Sequence, residues 1–161
     1  MDPVTVITSV ITIAGAVCSS YELISKFVTN TRNASKVLEG VRSRAETIKI
    51  LVMNLKQALE ENAIRKVIEK DVLALKHVKA LDELLRTVEY TLDEVVVSLT
   101  RQYKPTSEGK HYKIRWRYYL NTSDWDELQA RLSFHIQVVS ASMQGLNTCV
   151  YAPFPPSCRH Y

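Results

Sequence analysis

The chain has 161 residues, of which 46% are hydrophobic and 24% charged, with four glycines and five prolines. At that length folding buries roughly 70% of the extended-chain surface, so a single domain needs neither a disulfide framework nor a structural metal. The three cysteines, Cys18, Cys149 and Cys158, are scattered and odd in number, which argues for a reducing compartment and a cytoplasmic protein. The sparse glycine and proline favour long helices.

The net charge of +4 is concentrated. Between Arg101 and Arg117 stand Arg101, Lys104, Lys110, Lys113, Arg115 and Arg117 against Glu108 alone, leaving 15 basic and 16 acidic residues elsewhere.

The first element begins at Asp2-Pro3, where an aspartate can accept an unpaired amide and proline suits the first helical position. Ile7, Val10, Ala14, Val17, Tyr21, Ile24 and Val28 then recur at spacings of three and four, which predicts a helix from Pro3 to about Thr29. No Lys or Arg precedes the apolar run, as a secretory leader would require, so the stretch is expected to be retained. On a wheel of 100° per residue, Thr5, Thr8, Ser9, Thr12, Ser19 and Ser20 share about one third of the circumference, opposite Val6, Ile7, Val10, Ile11, Ala14 and Val17. The polar face is therefore built of hydroxyls without ions. The uncharged run from Pro3 to Tyr21 would span roughly 28 Å, near the ~30 Å thickness of a bilayer core. Hydroxyls can bond back to a carbonyl one turn earlier, so this face costs far less in lipid than a charged one, at about 3 kcal/mol per ion. The plain alternative is a bundle helix that never leaves the core.

Asn30 to Asn33 reads as a turn and Ser35 as a cap. A second seam runs Ala34, Leu38, Val41, Ala45, Ile48, Val52, Leu55 and Leu59. After a turn around Glu60 to Ala63, a long helix is expected from about Arg65 to Gln102, with a kink at Asp71 and a seam of Val78, Leu81, Leu85, Val88, Leu92, Val95 and Leu99. Lys104 to Gly109 reads as a loop. The following stretch, HYKIRWRYY, fits both a strand, by strict alternation, and a short helix with Tyr112, Trp116, Tyr119 and Leu120 on one stripe. With no other strand in view to pair with, a short helix is expected. Ser123 or Asp124 caps the last helix, whose seam is Trp125, Leu128, Leu132, Ile136, Val139, Met143 and Leu146. From Cys149 the prolines of CVYAPFPPSCRHY predict a non-helical tail. The expected fold is thus all-α, a single-domain helical bundle of four long helices plus one short helix over residues 1–148, followed by a Pro-rich tail over 149–161.

No phosphate-binding glycine loop, nucleophile elbow or metal-spaced Cys/His set is present, so no catalytic residue, metal or cofactor is expected. His77, His111, His135 and His160 stand alone, and His135 beside the last seam reads as an edge-of-core histidine. The basic, aromatic segment suits anionic lipid headgroups at Arg101, Lys104, Lys110, Lys113, Arg115 and Arg117, or a solvated face; nucleic acid is the least favoured partner.

Three stretches, MDPVTVITSVITIAGAV, VLEGVRSRAETIKILVMNLKQAL and KIRWRYYLNTSDWDELQARLSFHIQVVSASMQ, together resemble the fungal HeLo-like N-terminal domain, over Met1 to Asn147. Such domains head NLR-type (STAND) and ankyrin-repeat proteins, some acting in regulated cell death. The resemblance implies a cytosolic helical bundle, related in architecture to the four-helix bundle of the mixed-lineage-kinase-like necroptosis effector. It implies self-association or an NLR-like partner, recruitment to the plasma membrane, and permeabilisation through the first helix, here Val4, Val6, Ile7, Val10, Ile11, Ile13, Ala14 and Val17. No nucleotide-binding domain or amyloid-forming tail follows Tyr161 in this sequence, so the activating half is expected to be missing or to belong to a partner or a longer parent chain. A soluble protein–protein adaptor is the competing expectation.

Overall fold

The computed structural model describes residues 2–31, 35–105, 112–114 and 122–151. Five helices are described: α1 (Pro3–Thr29), α2 (Lys36–Glu60), α3 (Asn62–Lys70), α4 (Val72–Gln102) and α5 (Thr122–Tyr151). The protein is an all-α bundle of four long helices and one short one, and the seams spaced by three and four are its core. Ile7, Val10, Ala14, Val17, Tyr21, Ile24 and Val28 of α1 are all buried, as are Leu38 to Leu59 of the α2 seam and Val78 to Leu99 of the α4 seam. On α5, Trp125, Leu128, Leu132, Val139 and Leu146 are buried, while Ile136 and Met143 pack half-buried against them.

Side-chain bonds give the directions of the helices. Ser9 meets Asp82 and Ser20 meets Asp93, so α1 and α4 run parallel. Glu22 meets Lys49, placing α2 antiparallel to α1 in a chain that turns back after Thr29. Glu94 with Arg131 and Thr91 with His135 set α5 antiparallel to α4. Around the bundle the neighbours are α1–α2, α2–α5, α5–α4 and α4–α1, so the step from α2 to α4 crosses a diagonal. The short α3 makes that crossing and touches all four long helices, with Ile64 and Ile68 buried beneath it. It closes the end of the bundle at which α1 begins.

The helix ends refine the sequence reading. Ser35 caps α2 as expected, its Oγ accepting the Leu38 amide at 3.3 Å. Asp2 sits at the N-cap in extended backbone, but its side chain takes no backbone amide, contrary to expectation; its carbonyl starts the helix by accepting from Val6. Asp71 does more than kink a helix. Its φ of −104° and ψ of 111° end α3, and its Oδ1 accepts the Leu73 and Ala74 amides at 2.8 and 3.3 Å, starting α4. An acid at a core register is tolerated there because the carboxylate pairs the unpaired amides of a new helix. The short helix is consequently Asn62–Lys70, and the expected continuous helix from Arg65 is two.

The expected short helix after the loop is also corrected. Tyr112–Ile114 is a strand, β2, antiparallel to β1 (Tyr103–Pro105), with Lys104 opposite Lys113. The missing partner was the stretch directly after α4, part of which had been read as loop; a proline is admissible at the edge of such a two-stranded ribbon. α5 is already helical at Thr122, ahead of the expected caps Ser123 and Asp124, and continues through Cys149 to Tyr151, three residues into the expected tail. Proline restrains the residue before it, not the two before that, so the helix can run up to Tyr151, two residues short of Pro153. Arg32 to Ala34, the Trp116 and Tyr119 stripe and the rest of the tail lie outside the described residues.

Candidate functional site

α1 is helical without interruption from Pro3 to Thr29, and several of its hydroxyls are served by its own backbone. Thr8 donates to the Val4 carbonyl at 2.8 Å, Thr12 to Thr8 at 2.9 Å and Ser19 to Gly15 at 3.1 Å. These three side chains face solvent yet ask little of it. Of the eight expected insertion residues, Val6, Ile7, Val10, Ile13, Ala14 and Val17 are buried in the core. Ile11 is half-buried against it, and Val4 is 51% exposed beside the end that α3 closes.

The hydroxyl face is not uniform, as the wheel had suggested. Ser9 and Ser20 lie at its edge and turn toward α4. The Ser9 hydroxyl donates to Asp82 Oδ1 at 2.6 Å and accepts from Arg86 Nη2 at 2.9 Å, while Arg86 Nε pairs with Asp82 Oδ2 at 3.3 Å. Ser20, 7% exposed, donates to Asp93 Oδ1 at 3.1 Å. Asp82, Arg86 and Asp93 escaped the sequence reading; the available signal was a matched eleven-residue spacing, Ser9 to Ser20 and Asp82 to Asp93. Between α1 and α4 an open groove of about 470 Å³ is lined by Thr5, Thr8, Ser9, Thr12 and Arg86 with Val4 and Ile13.

Toward its other end α1 meets α2 through ions. Lys49 Nζ lies 3.2 Å from Glu22 and 4.7 Å from the centre of the Tyr21 ring. The hydrogen bond to Glu22 raises the Lys49 pKa. Burial raises that of the nearby Cys18 thiol, which keeps it protonated.

Across α4 and α5 the polar groups form one chain, buried at Thr91 and His135 and half-buried at Arg131 and Glu94. Thr91, fully buried, donates to the Thr87 carbonyl at 3.1 Å and accepts from Arg131 Nη2 at 3.2 Å. Its remaining lone pair therefore receives the His135 Nε2 proton across 2.9 Å, which leaves Nδ1 as a bare acceptor, buried and without a partner among the described residues. Arg131 also binds Glu94. Burial first, and then the Arg131 charge, lower the His135 pKa, so the ring is neutral near pH 7. The residue is a structural strut in the α4–α5 seam. Among the described residues no cluster of three His, Cys, Asp or Glu side chains could hold a metal ion.

Of the expected headgroup residues, Arg101 is exposed on the last turn of α4 and Lys104 and Lys113 sit opposite each other in the ribbon. Lys110, Arg115 and Arg117 lie outside the described residues. The ribbon follows the end of α4, and α4 runs parallel to α1, so Arg101, Lys104 and Lys113 stand near the C-terminal end of α1. Val4 stands at the other end of a helix roughly 40 Å long. Among the described residues, Arg101, Lys104 and Lys113 are therefore not gathered in one place with Val4.

By length and composition α1 is the one helix among the described residues apolar enough to cross a membrane. Comparison of the chain with protein-family models, with curated proteins and with solved structures finds no match in any of the three.

Proposed function

We propose that the protein is a non-enzymatic, membrane-targeting bundle of the HeLo-like kind, in which α1 leaves the core on self-association and enters an anionic bilayer. The observation that carries this reading is the self-sufficiency of α1. The exposed hydroxyls of Thr8, Thr12 and Ser19 bond to its own carbonyls and that of Thr5 to the Asp2 carboxylate, and it bears no ion before Glu22. In a bilayer every polar group needs an internal partner, and this helix supplies most of them itself.

Magnitudes decide where α1 can go. Val6, Ile7, Val10, Ile13, Val17, Ile24 and Val28 are buried, and at about 1.5–3 kcal/mol each their return to water costs roughly 10–20 kcal/mol. That equals or exceeds the whole stability of an ordinary domain, about 5–15 kcal/mol. Water takes this helix only rarely, whereas lipid can hold it. The basic segment from Arg101 to Arg117 would hold the bundle at an anionic surface through coulombic attraction to headgroups.

Dye release from anionic vesicles tests the proposal. Ile11→Lys is the more informative substitution because Ile11 is half-buried, while Val10→Asp also buries a charge in the core. Release should fall sharply for Ile11→Lys while circular dichroism shows the bundle intact; undiminished release would remove the basis for insertion.

A soluble adaptor is the second reading, favoured by the burial of Val6, Ile7, Val10, Ile13, Ala14 and Val17 in the core. It predicts stable association in light scattering with no flotation on lipid.

A further inference from the structure

We propose that Asp82, Arg86 and Asp93 are positioning residues that latch α1 onto α4 in one register and set the threshold for its release, an inference that rests on the proposed departure of α1. Two hydroxyl–carboxylate clasps join the helices, Ser9 to Asp82 at 2.6 Å and Ser20 to Asp93 at 3.1 Å, each linking residues 73 positions apart. Eleven residues make about three turns, so both clasps lie on one edge of each helix, some 16 Å apart along the axis. Because the offset is the same, a slip of α1 along α4 breaks both together. Apolar seams of this spacing tolerate a shift of a whole heptad far better than such directed bonds do, so the clasps fix the register that the aliphatic side chains leave open.

The charges are distributed unequally. Every ion in the two clasps belongs to α4, and α1 contributes hydroxyls only. When Ser9 withdraws, Arg86 and Asp82 keep each other through the bond between Nε and Oδ2 at 3.3 Å. α1 then carries no ion away from this seam and leaves no unpaired arginine behind. Release is thus gated by two directed hydrogen bonds to carboxylates, in addition to the apolar surface that the bilayer must accept.

The test measures exposure of the buried face in water. In the full chain with Cys18, Cys149 and Cys158 replaced by serine, Val17→Cys reports on α1 between the clasps and, in a separate protein, Val139→Cys reports on α5. Asp82→Ala or Asp93→Ala should raise the thiol-labelling rate at the α1 position about tenfold or more, since a hydrogen bond to a charged group is being removed. Asp82→Asn and Asp93→Asn, which keep an acceptor, should label much closer to the parent rate, and the α5 position should change little. An unchanged rate at α1, or an equal rise at α5, overturns the latch. If α1 labelling rises while dye release from anionic vesicles does not, the latch stands and the membrane reading falls.

Discussion

The α1–α4 and α4–α5 seams share a helix and are built on opposite plans. Between α1 and α4 the polar contacts stand at the edge, with hydroxyls from one side and all the ions from the other. Between α4 and α5 they are reciprocal, with charges on both sides: Thr91 and Glu94 from α4 interlock with His135 and Arg131 from α5 around a buried Thr91–His135 bond. Separating the second pair would strand a charge on both surfaces and an imidazole besides, whereas separating the first strands none on α1. Parting two faces that each hold a charge strands more than parting a face of hydroxyls from a face of ions. On the proposed reading, α1 is the element that detaches and α5 the one that stays.

The largest expected effect is at the centre of the fixed seam. Leu132, fully buried on α5, should cost about 2–5 kcal/mol on Leu132→Ala, measured by urea unfolding. Thr91→Val comes next. It leaves His135 and Arg131 without their shared partner, for an expected loss of about 1–3 kcal/mol.

Acid should act on the same seam. The folded His135 pKa lies below its unfolded value of 6.5, so the unfolded chain binds the proton more readily. The stabilisation this provides is complete above pH 6.5 and is lost as pH falls through the folded pKa. The groups packed around the ring, Thr91 and Arg131, offer an incoming proton no carboxylate of their own, and Glu94 is engaged with Arg131. Urea midpoints at pH 7.5 and 5.0 should therefore differ, and His135→Leu should reduce the difference. A slope unaltered by that substitution would place the acid sensitivity elsewhere.

Smaller effects sharpen the contrast at the periphery. Ser35→Ala removes the α2 cap and should cost about 1 kcal/mol. Glu22→Gln, which breaks the exposed bond to Lys49, should leave the urea midpoint unchanged within error, because exposed ion pairs are offset by solvation and side-chain entropy.

Most of the fold was legible because strict three–four spacing has a single physical solution, a stripe that must be buried. Ile48, Leu85 and Leu132 could be placed in the core from spacing alone, and all three are fully buried. Polar residues were harder to read, since their meaning depends on what lies across the seam. Asp71 looked like a defect in an apolar register and is a cap. Ser20 looked solvated and is buried against Asp93. The segment at Tyr112 had equal claims to two periods, and its outcome turned on a partner strand too short to announce itself. The apolar face of α1 was visible residue by residue, whereas the three α4 residues that hold it required pairing two spacings 73 residues apart.

Tethering provides the most direct test of whether α1 must depart. Ser9→Cys and Asp82→Cys, joined by a short cleavable thiol-reactive linker in a chain otherwise free of cysteine, would fix α1 to α4. Dye release from anionic vesicles should be abolished while the tether is closed and return once it is cleaved. Equal release in the tethered and cleaved states would contradict the departure of α1 and leave the bundle to act, if it acts on membranes at all, as a closed body.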